Sequence, residues 1–231
     1  MPELGGDTTL EQCLSETSKA GYVGIECGGK FPINSSELLP KLEKENLQLC
    51  SGWYGASLLN NKPKEELELM RDQLNLFKEC NAPCMVVAEV SGSIQGQVKI
   101  PLSKRPILNT DEWKIFYKKI NEISKYMEDN GVPLAYHHHM GTVVQSQEDT
   151  ERLIDHTSDT VKLLIDTGHM MFAGGDFVKI AKDYSTRLQH VHCKDIRKDI
   201  LNIAIKDDLS FINAFFAGAF TVPGDGCINY K

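Results

Sequence analysis

Short apolar runs alternate with amphipathic stretches of helical period along the whole chain, and this alternation limits the folds available to it. The runs Tyr22–Cys27, Leu47–Gly52, Cys84–Val90, Val132–His137, Val161–Asp166 and Leu188–His192 read as buried strands. Nearly continuous apolar strands separated by helices mean parallel pairing, with helices covering the sheet. The spacing from strand to strand is about 25–30 residues, the length a βαβ unit needs. Helix boundaries are also marked. Thr8-Thr9-Leu10-Glu11 and Ser146-Gln147-Glu148-Asp149 have the form of capping boxes. Pro63 suits the first turn of a helix reaching about Asn81. Thr110 or Asp111 can cap a helix that Gly131 ends, and Asp176 can cap another ending near Tyr184.

No low-complexity tract or linker divides the 231 residues, so the chain reads as one domain. An open doubly wound sheet would carry a glycine-rich phosphate loop after its first strand. Neither Gly-x-Gly-x-x-Gly nor Gly-x-x-x-x-Gly-Lys-Ser/Thr occurs here. That favours a (β/α)8 barrel, whose chemistry gathers at the C-terminal ends of the strands. The stretch Ser91–Thr110, with Pro101 and Pro106, is long for a βα loop and reads as a lid or as a simple insertion.

The net charge of −7 argues against nucleic acid as a partner, which would require a basic footprint. No apolar stretch approaches the roughly 20 residues that span a bilayer, and the N-terminus lacks the features of a signal peptide. Seven cysteines without a CxxC pair read as free thiols, which implies the cytoplasm. The sequence does not set an oligomeric state, and a homo-oligomer is compatible with it.

Six of the seven histidines cluster at three strand ends: His137-His138-His139, Asp166-Thr167-Gly168-His169 and His190-Val191-His192-Cys193-Lys194-Asp195. Alternation along a strand puts His137 and His139 on one side and turns His138 away, unless a bulge intervenes. A divalent ion takes carboxylate oxygen together with neutral imidazole, so His137, Asp166 and His192 are candidate metal ligands. Such a site stays positive and can polarise a ketone or hydroxyl. Glu26 and Glu89 also end apolar runs. Each reads as a base or hydroxyl binder, or as a rim charge tied to a neighbouring Lys or Arg. Trp53 follows the run Leu47–Gly52 and reads as an aromatic wall for a polyol ring or as barrel core.

The segments Pro2-Glu3-Leu4-Gly5-Gly6-Asp7, Gly28-Gly29-Lys30-Phe31-Pro32, Tyr136-His137-His138-His139-Met140-Gly141-Thr142, Asp166-Thr167-Gly168-His169, Phe172-Ala173-Gly174-Gly175-Asp176, His190-Val191-His192-Cys193-Lys194-Asp195 and Phe220-Thr221-Val222-Pro223-Gly224-Asp225-Gly226 together resemble the inosose dehydratases. That family belongs to the xylose-isomerase-like sugar isomerase/epimerase barrels, and the likeness covers nearly the whole chain. The resemblance implies dehydration of 2-keto-myo-inositol to a trihydroxycyclohexane-dione through an enediolate. It also implies manganese or cobalt and, for the family, glutathione. By the same resemblance His137 stands where the wider superfamily has a glutamate ligand, and Asp166 and His192 match its aspartate and histidine. A fourth ligand, a glutamate on the last strand, would lie beyond Lys231. Met1 matches an internal methionine, so the expected fold is an incomplete barrel lacking its first and last strands.

For the chemistry, His139 is the first choice of acid or base and Glu89 the second. His169 and Lys194 are expected to bind substrate hydroxyls or a developing oxyanion. Three rivals stand beside this reading. One is an isomerase or epimerase acting on a ketose through the same enediolate. Another is a zinc phosphodiesterase acting on DNA, disfavoured by the acidic balance. The third is a truncated, inactive remnant.

Overall fold

The computed structural model describes residues 5–230. Its centre is a parallel six-stranded sheet in sequence order: β1 (Gly24–Cys27), β2 (Gln48–Ala56), β3 (Met85–Glu89), β4 (Leu134–His137), β5 (Val161–Asp166) and β6 (Leu188–His192). All six expected strands are present. Helix α1 (Leu10–Lys19) precedes β1, and α2 (Ser35–Lys44), α3 (Pro63–Glu79), α4 (Thr110–Asp129), α5 (Gln147–Asp155), α6 (Thr167–Phe172) and α7 (Phe177–Asp183) lie in the connections between strands. After β6 come β7 (Asp195–Ile196), α8 (Lys198–Lys206), α9 (Phe211–Phe216) and β8 (Phe220–Thr221), with β7 and β8 pairing antiparallel. The sheet is an incomplete α/β barrel, strongly curled: Glu26 on one edge strand bonds to His190 and His192 on the other.

The capping signals mostly hold. Ser146 and Asp149 form their box, Pro63 opens α3, and Asp176 caps α7. Two caps shift by one residue. Thr9, not Thr8, caps α1 by accepting from the Gln12 amide, and Asn109 rather than Thr110 or Asp111 caps α4. In both cases the side-chain oxygen one residue upstream of the helix is the one that reaches the free amides. The start of the Pro-Glu-Leu-Gly-Gly segment lies outside the described residues.

Alternation sorts side chains between the barrel interior and the helix layer. Met85, Val87, Leu134 and Tyr136 join the core beneath the helices. Cys84, Val86, Ala135 and Leu164 pack together inside the barrel. Continuing each inward row places His137 after Ala135 and Asp166 after Leu164. Two register shifts change the outcome on neighbouring strands. Ile25 pairs with Leu49 but Glu26 with Ser51, leaving Cys50 as the extra residue. Leu163 pairs with Leu188 but Leu164 with His190, leaving Gln189 extra. Leu49 and Leu188 face the helices, yet after the shifts Ser51, Trp53, His190 and His192 face inward. Trp53 therefore lies within β2, not after it.

The long loop from Ser91 holds only a 3-10 turn, Leu102–Lys104. It is strapped to its neighbours: Arg105 pairs with Asp149 at 2.8 Å, and Ser103 bonds to Asp208.

Beyond β6 the chain is held by Asp195, a buried carboxylate that accepts from the amides of Ile196, Gly224, Gly226 and Ile228. A side chain at Gly226 would run into Asp195. Burial opposes ionisation of Asp195, but the four amides outweigh it and lower its pKa. The folded state thus gives up this proton more readily than the unfolded chain. The stabilisation is complete above the unfolded carboxylate value of about 4 and is lost as pH falls through the lower folded value. Asp195→Asn is expected to cost about 2 kcal/mol in urea unfolding at pH 7. Its deficit relative to wild type should shrink as pH is lowered to 3; a deficit independent of pH would contradict the account.

Candidate metal centre

The C-terminal ends of β4, β5 and β6 converge on a cavity of about 260 Å³ inside the barrel. His137, His139, His169, His192 and Lys194 line it, with Trp53, Phe211, Phe215 and Phe220 as an aromatic wall. Asp166 lies beneath, 0% exposed, and one of its oxygens is the meeting point of the site. His137 Nε2 and His192 Nδ1 each stand 3.5 Å from Asp166 Oδ2, and the Lys194 ammonium bonds to the same oxygen. The expected trio of His137, Asp166 and His192 is thus brought together.

Hydrogen bonds on the far side of each ring indicate which nitrogen carries the proton. His137 Nδ1 lies 2.5 Å from the His138 carbonyl, which can only accept, so Nε2 presents its lone pair toward Asp166. His192 Nε2 lies 2.9 Å from Glu26 Oε1, again an acceptor, so in the neutral ring Nδ1 presents the lone pair. Both lone pairs are aimed at the region of Asp166 Oδ2. Ligand bonds of about 2.1 Å in a tetrahedral array put donor atoms about 3.4 Å apart, close to the spacing here. The donor set suits a borderline divalent ion, and the outer nitrogens have the backbone and carboxylate partners such ligands need.

His139 and His169 form a second pair, with ring centroids 4.0 Å apart. His139 Nδ1 donates to the Met140 carbonyl at 2.8 Å, leaving Nε2 as an acceptor. His169 Nδ1 accepts from the Met140 amide at 3.3 Å, leaving Nε2 as a donor. One ring can take a proton where the other can donate a hydrogen bond. His169 also has a ring nitrogen near the ligand atoms of His137 and Asp166, but its Nδ1 lone pair is taken by the Met140 amide.

Burial dominates the electrostatics. It holds His137 and His169 below the ordinary imidazole value, and takes His139 down to about 3 with help from His137. These rings are neutral at pH 7. Burial also opposes charge on Asp166, but its cationic and hydrogen-bonding surroundings, the Lys194 ammonium among them, outweigh it and hold its pKa well below the carboxylate range. His192 runs the other way: burial is overcome by its bonds to Asp166 and Glu26, which raise its pKa.

Not every expected residue reaches the cavity. Glu89 shares the outward row of Met85 and Val87. It is fully buried, accepting from the Leu58 amide at 2.6 Å and the Ser91 amide at 2.7 Å. It holds two loops, and the structure does not place it as an acid or base. Glu26 is tied to two histidines rather than to a Lys or Arg. Trp53 is 37% exposed and sits edge-on to His137 and His139, a wall and not core. His138 is turned away from the cavity and accepts from the Asp166 amide at 3.1 Å through Nε2. Sequence reading missed the wall from α9. Its only signal is the i, i+4 spacing of Phe211 and Phe215, which fits any amphipathic helix. Gly168 lets the two rims close, since a side chain there would lie 2.8 Å from Lys194 Cβ and 3.0 Å from Phe220.

A profile of the xylose isomerase-like TIM barrel family matches residues 14–231. The chain is 44% identical to the rhizopine catabolism protein MocC of Rhizobium meliloti, over 100% of this chain and 71% of that one. It is 39% identical to the inosose dehydratase of Geobacillus thermodenitrificans, over 100% of this chain and 78% of that one. Among solved structures it resembles the probable 3-DHS dehydratase AsbF from Bacillus anthracis, with TM-score 0.71 at 15% identity, covering 96% of this chain and 81% of that one. The IOLI protein with a bound zinc atom has TM-score 0.69 at 16% identity, covering 96% of this chain and 77% of that one. With the family profile spanning nearly all of it and curated inosose dehydratases matching its full length, the chain belongs to the xylose isomerase-like TIM barrel family, among the relatives of the inosose dehydratases.

Proposed function

We propose that this chain is a hydro-lyase of inositol breakdown that dehydrates an inosose, 2-keto-myo-inositol, to a trihydroxycyclohexane-dione. The observation that carries the reading is the complementary pair His139 and His169 beside the trio His137, Asp166 and His192. The full-length likeness to proteins named inosose dehydratase supports the substrate class.

His137, Asp166 and His192 would hold a divalent ion, manganese or cobalt, whose Lewis acidity polarises the ketone and acidifies the neighbouring C–H. A zinc-bearing fold relative and the imidazole-rich donor set support a metal of this borderline class. His139 Nε2, neutral and unprotonated at pH 7, takes the α-proton. The electron pair of that C–H bond becomes the new C=C bond, and the β-C–O bond breaks. The departing hydroxyl leaves as water with the proton that His139 acquired. His169 Nε2–H and the Lys194 ammonium stabilise the developing oxyanion. Trp53 and the phenylalanine wall pack against ring C–H groups and exclude bulk water. Glutathione belongs to this reading only through the family resemblance. The seven free thiols support the cytoplasm as the site of action. Among the described residues no helix is long and apolar enough to cross a membrane.

Asp166→Ala is expected to lose both Mn²⁺ binding by calorimetry and the metal-dependent rise in ultraviolet absorbance of an enolic dione. Turnover retained in this variant would sink the ligand assignment. A product of the same mass as the substrate, not lighter by one water, would replace dehydration with epimerisation. Lys194→Met removes a positive charge that sits on Asp166. It should tighten Mn²⁺ binding about tenfold at low salt while lowering turnover at saturating metal; weaker metal binding would contradict the electrostatic role.

A further inference from the structure

We infer that Glu26 is a positioning residue, which holds His192 in the tautomer and orientation that present Nδ1 to Asp166. This inference rests on the metal reading of His137, Asp166 and His192 given above. Glu26 stands on β1, and His192 on β6 at the opposite edge of the sheet. Among the described residues these two strands share no backbone ladder. The side chains span the gap instead: His190 Nε2 lies 2.7 Å and His192 Nε2 2.9 Å from the same oxygen, Glu26 Oε1.

A carboxylate oxygen can only accept, so both Nε2 atoms must carry hydrogen. A second contact points to the same tautomer of His192. The Lys194 ammonium lies 3.4 Å from His192 Nδ1, and an ammonium can only donate, so Nδ1 accepts. Two independent partners, one on each ring nitrogen, therefore place the lone pair on the face toward Asp166, 3.5 Å away. His190 adds a second donor that keeps the carboxylate from swinging free of His192. The bulge at Gln189 makes this possible, because it turns both histidines inward beside Glu26.

Glu26, His190 and His192 could instead be read as a site for a second ion. Their spacing argues against it. Donor atoms at 2.7 and 2.9 Å are at hydrogen-bond distance, shorter than the roughly 3.4 Å that separates ligands around one tetrahedral ion. The 3.5 Å contacts at Asp166 do match that separation. The geometry thus separates a chelating trio from a carboxylate that orients one of its members.

The test compares the wild-type chain with Glu26→Gln and Glu26→Ala. Long-range ¹H–¹⁵N correlation of the imidazoles in metal-free protein reads the tautomers, calorimetry with Mn²⁺ reads affinity and stoichiometry, and urea unfolding checks the fold. In wild type, read at an alkaline pH where the ring is neutral, His192 should carry its hydrogen on Nε2. Glu26→Ala should lose that preference and bind Mn²⁺ about 10- to 100-fold more weakly. Glu26→Gln, whose amide oxygen still accepts one N–H, should recover most of the affinity together with the Nε2–H tautomer of His192, and the tautomer is the readout that a general packing role would not move. Unchanged Mn²⁺ affinity in a folded Glu26→Ala chain would overturn the inference. So would two equivalents of Mn²⁺ in wild type with one lost in Glu26→Ala, which would make the cluster a metal site. If Glu26→Ala does not fold, the wild-type tautomer and the Gln variant still decide. A wild-type chain that binds no Mn²⁺ would overturn the metal reading itself, whereas the metal-free tautomer tests Glu26 separately.

Discussion

The functional end of the barrel is organised around one buried negative charge. A carboxylate with no exposed surface cannot remain ionised without partners, because leaving water costs several kcal/mol. Asp166 meets that requirement with the Lys194 ammonium at one oxygen and the His169 amide at the other, while His137 and His192 stand 3.5 Å from the first with lone pairs ready to share an ion. Lys194 lies just past β6 and His169 in α6, so compensating this charge fixes the end of β6 and the start of α6 relative to β5. His138 adds to the arrangement from outside by accepting the Asp166 amide.

The same demand explains the tautomer pattern. Every ring in the cavity has one nitrogen committed to a fixed partner: a carbonyl for His137 and His139, an amide for His169, Glu26 for His192. The remaining nitrogen of each ring is then set as acceptor or donor before any ligand arrives. Preorganisation of this kind lets an active site act without paying reorganisation at the moment of reaction. The aromatic wall supplies the complementary condition, a dry boundary in which these few polar atoms count for more than they would in water.

Much of this was legible from residue order. Continuous apolar runs at βαβ spacing point to parallel strands because a sheet covered on both faces has no polar row to alternate. His137, Asp166 and His192 were legible as a group because each ends such a run, and a parallel barrel brings those ends to one rim. Glu89 ends a run as well, yet it faces the helices. Nothing in the local pattern of Met85 to Glu89 distinguishes its row from an inward one, since both rows are apolar. Trp53 was ambiguous for a related reason: it lies just past a bulge, and one extra residue exchanges the two faces of a strand. Glu26 could not be paired with β6 from sequence, because 164 residues separate it from His190.

The sequence by itself determined the parallel α/β class, the six strands, most helix caps and the chemical identity of a histidine- and carboxylate-bearing rim. These follow from local periodicity and side-chain chemistry, which act over a few residues. Only the tertiary structure decided which face each rim residue takes, which nitrogen of each imidazole is free, and that the two edges of the sheet meet through Glu26. Those outcomes depend on two single-residue bulges and on contacts between distant strands, and such contacts leave no periodic trace in the chain.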